Sequence, residues 1–368
     1  MRTNFAIALG AILAAAAALA ASSPSFGSCG GGVVGAEAVA APDASIVYAS
    51  AVGRYEIKSV LPDGTRASTL LTSERVVGNP SVSPDGQLVA FDRGRNNEVW
   101  LMNRDGSNAR FLTSGTTPSF SPDGTRLAVG GAQTAFNRYE LDVVNLDGNG
   151  RHAVASDAAP LPHPSWSPDG KQIAFVGFTR EQMDFPSIMR VGSDGSGETG
   201  VRIFGADPRW SPDGKWISYT ANSDRSLPTE VHAARPDGSA DHRLARLNGL
   251  DAFAATWSPN GQRLVFNALA AGTESSAQLG GAFWTVEASG RGMHPLAPGC
   301  RFGTGEGDRI HGSARSDRIY ALEGNDTVDV RGGGLDFVDC GPGRDTVSAD
   351  RGDIVARDCE QVRRVRRR

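Results

Sequence analysis

The chain has 368 residues, a formal net charge of −4 at pH 7 and an isoelectric point near 5.9. This length allows two domains and a large core, and the mild acidity excludes the uniformly basic surface typical of nucleic-acid-binding proteins. The 46 glycines suit an all-β chain rich in tight turns. Beyond the N-terminal region, no stretch is long and apolar enough to span a bilayer.

Residues 1–40 have the pattern of a signal peptide and leader. Arg2 gives a short positive start, and an uncharged apolar run follows from Phe5 to Ala21. A charged start followed by such a run is typical of a secretory signal that is removed on export. Cleavage could follow Ala20 or lie as late as Ala40, and the sequence leaves both open. We therefore expect an exported protein that is secreted or periplasmic.

A four-residue turn motif, Ser-Pro-Asp-Gly, organises the middle of the chain. Proline fixes φ at the second position of a type I turn, Asp or Asn suits the third position, and glycine takes the left-handed position that follows. Alternating apolar residues flank each copy, which predicts a strand, a tight turn and a second strand. The copies end at glycines 86, 124, 170, 214 and 261, in steps of 38, 46, 44 and 47 residues: Ser83–Gly86, Ser121–Gly124, Ser167–Gly170, Ser211–Gly214 and, with Asn, Ser258–Gly261.

A second turn, X-Asp-Gly, alternates with the first. Strand-like runs such as Glu98–Met102 lead into it, and a short strand such as Ala109–Thr113 follows. Each unit therefore has four strands and two tight turns, which is the content of a propeller blade, and six copies predict six blades. The copies are Pro62–Gly64, Arg104–Gly106, Leu146–Gly148, Ser193–Gly195, Pro236–Gly238 and the degenerate Ala288–Gly290.

Blade 1 lacks one strand in this scheme. It begins at Ile46, with no Ser-Pro-Asp-Gly strand before it. An open sheet edge invites pairing with other chains, so a closed ring needs the missing strand from another segment. The residues just before 46 or just after 298 could supply it.

The repeats resemble the TolB-like (WD40-like, PD40) β-propeller repeat over residues 45–298. The best match is Trp210–Tyr219, where an aromatic residue, Ser-Pro-Asp-Gly and an apolar strand follow one another. The resemblance implies a propeller domain over residues 41–298 that binds a protein or glycan ligand at one face. TolB itself carries an α/β domain before its propeller, for which this sequence has no room. Its interaction with a peptidoglycan-associated lipoprotein is therefore not expected here.

The sequence favours a binding or scaffold protein of the cell envelope or exterior over an enzyme. Six-bladed relatives include lyases, cyclases and peptidase propellers, but the G-x-S-x-G motif of a hydrolase domain is missing. The six histidines share no metal-ligand spacing. The alternative is a carbohydrate-active or other hydrolytic enzyme with its site at the propeller mouth, formed by the loops Phe178–Pro186 and Ala270–Gly281. Acidic and His side chains converging there would favour the enzyme. We expect a monomer.

A new period begins after Pro298. Aspartates recur every 8–10 residues, and an aliphatic residue follows each of them two positions later. This pattern resembles the haemolysin-type (RTX) calcium-binding nonapeptide, which implies a small parallel β-roll over residues 299–362 and bound calcium (Ca2+). The match is best in Gly324–Asp326, Gly334–Asp336 and Gly343–Asp345, where glycine stands two residues before the aspartate. The candidate metal ligands are Asp308, Asp317, Asp326, Asp336, Asp345 and Asp353.

Calcium needs six to eight oxygen ligands, more than one such turn offers. We therefore expect an ion between turns one coil apart, which means between alternate repeats. Binding should be strongest between Asp326 and Asp345, whose turns keep glycine, and weaker where Glu306 and Arg351 replace it. The other pairs are Asp317 with Asp336 and Asp336 with Asp353. The alternative is a metal-free roll held by its aliphatic residues and a disulfide.

Cys340 and Cys359 are 19 residues apart, about one full coil of the predicted roll. Export and stacked turns favour a disulfide between them. Cys300 could then pair with Cys29, if cleavage is early. Lipidation of Cys29 is an alternative, although Phe26 stands where a lipoprotein signal has Leu. The basic tail, residues 363–368, is expected to be solvated, or alternatively to contact an anionic envelope polymer.

Overall fold

The structure is a computed structural model. Its described part contains strands and turns but no helices. The described residues therefore include no helix that could cross a membrane. Several predicted features lie outside the described residues: the leader before Ala38 with Cys29, the turn Pro62–Gly64, most of both candidate loops and Glu306. The described residues are 38–40, 45–50, 54–60, 68–94, 97–135, 138–178, 186–221, 229–247, 250–270, 282–295, 300–302, 307–313, 317–321, 324–332, 334, 336–341, 343–356 and 358–365.

Six four-stranded antiparallel units follow one another in the described chain, which confirms the predicted propeller. The first contains β1 Ala38–Ala40, β2 Ile46–Ser50, β3 Tyr55–Val60 and β4 Ser68–Ser73. The second contains β5 Val77–Val82, β6 Leu88–Arg93, β7 Glu98–Asn103 and β8 Arg110–Ser114. The third contains β9 Thr116–Phe120, β10 Arg126–Ala135, β11 Arg138–Asn145 and β12 His152–Ala158.

The remaining blades repeat this order, and a single residue pair, Ala158 with Gly177, joins the third and fourth units into one sheet. The fourth contains β13 Ser165–Trp166, β14 Gln172–Gly177, β15 Ser187–Gly192 and β16 Thr199–Ile203. The fifth contains β17 Gly205–Trp210, β18 Ile217–Ala221, β19 Glu230–Ala234 and β20 His242–Ala245. The sixth contains β21 Leu250–Trp257, β22 Arg263–Ala270, β23 Ala282–Glu287 and β24 His294–Pro295.

The segment just before residue 46 completes blade 1. β1 pairs antiparallel with β2, with Val39 opposite Val47. The innermost strands β1, β5, β9, β13, β17 and β21 contact one another in sequence, and β21 also contacts β1, so the ring is closed. Of the two segments that the sequence left open, the upstream one therefore supplies the strand. Ala38–Ala40 lie inside the range predicted as leader, so the propeller begins before residue 41.

The apolar core lies between neighbouring blades. Ala90 and Leu101 of blade 2 form one cluster with Phe120 and Leu127 of blade 3, and all four are buried. Blades 4 and 5 share a second cluster, which includes Tyr219. Burial of apolar area is the dominant favourable contribution to folding, so each blade stabilises its neighbours rather than folding alone.

The Ser-Pro-Asp-Gly turns also join one blade to the next. In the turn that begins at Ser121, the serine Oγ accepts a hydrogen bond from Arg126 N at 3.0 Å and donates one to Asp123 Oδ1 at 2.6 Å. Gly124 has φ of +69°, and a Cβ built on it would lie 3.5 Å from Pro84 Cδ of the preceding turn. The glycines of the three later turns stand in the same relation to the preceding proline. The turns therefore stack around the ring.

The C-terminal strands form a parallel roll of two sheets. One sheet contains β25 Cys300–Phe302, β27 Arg318–Tyr320, β29 Phe337–Asp339 and β31 Ile354–Val355, and the other contains β26 Arg309–His311, β28 Thr327–Asp329, β30 Thr346–Asp350 and β32 Gln361–Val365. Ile310 pairs with Val328 and Val328 with Val347, so alternate repeats stack as predicted. β32 carries the roll to Val365, three residues into the segment predicted as a basic tail.

Candidate calcium-binding columns and the propeller channel

The aspartates of the roll form two columns. In the first column, Asp308 N donates to Asp326 Oδ1 at 2.7 Å, and Asp326 N donates to Asp345 Oδ1 at 2.8 Å. In the second, Asp317 N donates to Asp336 Oδ1 at 2.7 Å, and Asp336 N donates to Asp353 Oδ1 at 3.1 Å. The structure thus brings together all three pairs predicted from the sequence, because each pair lies one coil apart.

Five of these six aspartates are buried, and Asp308 is half-buried. Asp326 is 1% exposed and Asp345 is fully buried, and the Oδ2 atoms of both accept no hydrogen bond in the described part of the chain. Burial raises the pKa of both carboxyls, and the charge of Asp345 raises the pKa of Asp326 further. Buried carboxylates of this kind need a proton or a cation, since an isolated buried charge is costly.

Glycine allows the two turns of the first column to approach closely. Gly324 and Gly343 form a parallel bridge, and a Cβ built on Gly343 would lie 1.6 Å from Gly324 O. Any side chain at position 343 would therefore separate the turns that carry Asp326 and Asp345. This is the physical reason for glycine in this pattern, together with the backbone freedom inferred from the sequence.

The donors of the first column suit calcium, a hard cation that prefers carboxylate and carbonyl oxygens. The matching atoms are Asp326 Oδ2 and Asp345 Oδ2, which are buried and free of hydrogen bonds within the described residues. Across those same residues, no three His, Cys, Asp or Glu side chains converge on one point. Most of the ligands would therefore have to come from backbone carbonyls, as the sequence pattern implies.

Both columns end on residues that the nonapeptide period does not include. Glu360 Oε2 accepts a hydrogen bond from Asp345 N at 2.8 Å, in the way that each aspartate accepts one from the preceding coil. Arg364 Nη1 donates to the carbonyl of Asp353 at 2.8 Å. Sequence reasoning missed both residues, because neither stands at the spacing of the repeat.

A second carboxyl pair flanks the disulfide. Cys340 and Cys359 are bonded, with their Cα atoms 5.2 Å apart. The neighbouring Asp339 and Asp358 hydrogen-bond to each other, and Asp358 Oδ2 accepts a hydrogen bond from Gly341 N at 2.9 Å. Burial and the nearby charge of Asp358 raise the pKa of Asp339 to about 6. The Asp339 carboxyl therefore loses its proton near pH 6, well above the range of an ordinary aspartate.

Five residues in or just before the innermost propeller strands have φ between +44° and +51°, each seven positions before a turn glycine: Asn79, Thr117, His163, Asp207 and Ala254. They sit at equivalent places around the channel, where the strands bulge. The Asp92 carboxylate accepts Thr117 N at 2.9 Å and Asn79 Nδ2 at 2.6 Å. His163 Nδ1 lies 3.6 Å from Asp207 Oδ1. These polar groups link neighbouring blades, so they act as supports of the ring.

Blade 5 holds a denser charge cluster away from the channel. His232 Nδ1 lies 3.2 Å from Asp241 Oδ1, and His232 Nε2 lies 3.1 Å from Glu230 Oε2. Tyr219 Oη donates to Asp241 Oδ1 at 2.5 Å, and Arg246 Nε lies 3.4 Å from Glu230. The two carboxylates lie on opposite sides of the imidazole, so they cannot bind one ion together. The cluster ties β18, β19 and the turn before β20.

Comparison with known families agrees with this architecture. Residues 128–279 match the family model of the TolB β-propeller domain (PD40). Residues 302–334 match the model of the RTX calcium-binding nonapeptide repeat (four copies). The chain therefore combines a TolB-like β-propeller with C-terminal RTX repeats, as both sequence resemblances predicted.

The individual relatives match over limited lengths. A Tol-Pal system protein TolB from Nitrosococcus oceani is 34% identical over 67 residues, which are 18% of this chain and 15% of that protein. The chain thus covers only a small part of the curated relatives that it matches.

Solved structures cover more of the chain. A protein assigned as TolB from Agrobacterium tumefaciens has a TM-score of 0.53 and 19% identity, covering 63% of this chain and 84% of that one. TolB from Acinetobacter baumannii has a TM-score of 0.51 and 18% identity, covering 65% and 61%. The tricorn protease has a TM-score of 0.51 and 15% identity, covering 68% and 25%. At these identities the likeness establishes the fold alone.

Proposed function

We propose that this protein is an exported binding or scaffold protein of the cell envelope or exterior. Its propeller would present a face to a protein or glycan ligand, and its RTX repeats would bind calcium between Asp326 and Asp345. The observation that carries the calcium assignment is the pair of buried Oδ2 atoms on these residues, which accept no hydrogen bond from the described residues.

The two oxygens of each carboxylate in the first column have different roles. Asp326 Oδ1 and Asp345 Oδ1 accept backbone N–H groups, which fixes the orientation of both carboxylates. Their Oδ2 atoms remain available to a cation. Without one, two buried like charges one coil apart repel each other. Calcium bound by these residues would supply the positive charge that removes this repulsion. Binding and ordering of the roll are therefore linked.

The test compares wild type with a double variant, Asp326→Asn and Asp345→Asn, in the full chain. Calcium should release heat on calorimetric titration of wild type and raise its melting temperature relative to excess EGTA, because a ligand that binds only the folded state stabilises it. The double variant should lose both effects. Wild type with no heat of binding and an unchanged melting temperature would refute the calcium site.

Export and binding rest on separate observations. The disulfide between Cys340 and Cys359 is typical of exported proteins, because thiols in the cytosol are kept reduced. The polar groups described along the channel are engaged between blades, which favours binding over catalysis. Capture of the same protein or glycan by native chain, but not by heat-unfolded chain, from an envelope fraction would support this assignment. Hydrolysis of a panel of glycans or peptides by the pure protein would contradict it.

A further inference from the structure

The first column of the roll does not stop at the last repeat that carries glycine. Its backbone-to-carboxylate distances are 2.7 Å from Asp308 N to Asp326, 2.8 Å from Asp326 N to Asp345, and 2.8 Å from Asp345 N to Glu360. The longer glutamate side chain reaches the same backbone position as each aspartate. Glu360 therefore continues the column for one more coil, although its sequence context lacks the repeat motif.

The second column ends differently. Both carboxylate oxygens of Asp353 accept backbone N–H groups, Oδ1 from Asp336 at 3.1 Å and Oδ2 from Asp350 at 2.7 Å. Arg364 Nη1 then donates to the carbonyl oxygens of Asp353 at 2.8 Å and Asp350 at 3.4 Å. Carbonyl oxygens of this kind are also calcium ligands. A guanidinium thus occupies the end of this column, where its positive charge attracts the two carbonyl oxygens.

We propose that Glu360 is an additional carboxylate ligand for calcium at the end of the first column, whereas Arg364 takes the place of a metal ion at the end of the second. This inference rests on the proposed calcium function of the roll. It follows from the difference in donors: Asp345 Oδ2 is fully buried and accepts no hydrogen bond in the described chain, while Asp353 has both oxygens engaged.

The asymmetry has a simple electrostatic reason. Asp345 and Glu360 bring two negative charges to the end of the first column, which a divalent cation neutralises best. At the end of the second column, Arg364 supplies a permanent positive charge, since a guanidinium stays protonated in proteins. Calcium should therefore bind the first column, and the end of the second column should be ordered without it.

The experiment is calcium titration of the full chain by calorimetry, with three single variants. Glu360→Gln keeps an oxygen that can accept Asp345 N but removes the charge. It should weaken calcium binding by at least about 10-fold, since even residues that only support a metal ligand change the affinity by about 10- to 100-fold. Asp329→Asn is the matched control, because this carboxylate is on the same roll but pairs with Arg331 outside the columns. It should leave the affinity near that of wild type.

Hydrogen exchange on the same proteins separates binding from folding. In EGTA, Glu360→Gln should keep the wild-type protection of β30 and β32, so that its weaker binding is not a folding defect. Arg364→Gln should lose protection around residues 350–354 in EGTA while keeping wild-type calcium affinity. Glu360→Gln binding calcium as tightly as wild type would overturn the inference and leave the calcium function standing. Wild type that binds no calcium would overturn both.

Discussion

Single residues of the repeated turns carry two distinct roles in this protein. The turn serine is buried and bonds both to the backbone and to the aspartate of its own motif, while the aspartate side chain is solvent-accessible. The hydroxyl of Ser121 lowers the pKa of Asp123 to about 2, so this aspartate stays charged down to strongly acidic pH. The motif is therefore a hydrogen-bonded unit as well as a turn.

We expect Ser121→Ala to lower the free energy of unfolding by about 1–3 kcal/mol, because it leaves the half-buried Arg126 N–H without its acceptor, the fully buried Ser121 hydroxyl. Ser107→Ala removes a similar bond to Asp105 from an exposed turn and should change it by less than about 0.5 kcal/mol. Urea unfolding of both variants measures the difference. Equal effects would contradict the role assigned to the buried serine.

The glycine of the second turn is a steric requirement at Gly106. It has φ of +85°, and a Cβ built on it would lie 1.8 Å from Leu70 O in the preceding blade. Gly197 has a similar φ of +65° with nothing within 4 Å of that Cβ. Gly197→Ala should therefore show only the strain of a left-handed residue, about 1–2 kcal/mol, and Gly106→Ala clearly more. Equal melting temperatures for the two variants would refute the inter-blade contact.

These turns could be predicted from the sequence, because Pro, Asp and Gly have local backbone preferences. The contact of each turn with its neighbour could not, since Gly106 and Leu70 meet only when the blades close around an axis. The same holds for Glu360 and Arg364. Their roles depend on stacking in the roll, and no local motif marks them.

At the scale of the element, the roll is a stack in which each coil supports the next through buried carboxylates. Alternate stacking followed from the period of the aspartates, because two nonapeptides make one coil. The acidic pair next to the disulfide did not follow, since Asp339 and Asp358 lie outside the repeat positions. This pair gives the roll a pH dependence of its own.

Asp339→Asn should raise the stability of the roll at about pH 7.5 in EGTA and leave it nearly unchanged at about pH 3.5. The pKa of Asp339 is about 6 in the folded chain against an ordinary value of 3.8, so protonation favours folding. The stabilisation that comes from protonated Asp339 is complete below pH 3.8 and is lost as the pH rises from there through about 6. Hydrogen exchange of β29 at both pH values measures it. A variant less protected than wild type at the higher pH would contradict this sign.

The disulfide closes a segment with a sequence separation of 19 residues. Replacing both cysteines by alanine should destabilise the roll by about 3 kcal/mol, the scale for a loop of about this length. The propeller strands should keep their exchange protection, since none of them contains either cysteine. Reduction of wild type by dithiothreitol should reproduce the effect, and a roll indifferent to dithiothreitol would argue against the bond.

At the scale of the whole molecule, the six blades were predictable because two turn motifs alternate along the chain. The strand that completes blade 1 was not, because Ala38–Ala40 carry no motif and only ring closure identifies them. Closure joins the first strand to the sixth blade: β1 contacts β21, β22 and β5 as well as pairing with β2. Three residues thus hold together parts of the chain that are far apart in sequence.

The double variant Ala38→Pro and Val39→Pro should open the ring, because proline removes backbone N–H groups from the strand. We expect loss of exchange protection in β2, β5 and β21, the strands that contact β1. The control is Ala38→Ser with Val39→Thr, which keeps every N–H group. Unchanged protection in the proline variant would mean that β1 does not close the propeller.

The position of β1 also limits how this protein can mature. A peptidase that cut after Ala40 would remove the closing strand together with the leader, and blade 1 would be left with three strands and an open edge. An exposed edge is a hazard, because it pairs with other chains. The fold therefore restricts where the leader can be cleaved. The first residue of the processed protein should precede Ala38, and N-terminal sequencing of exported material would identify it directly.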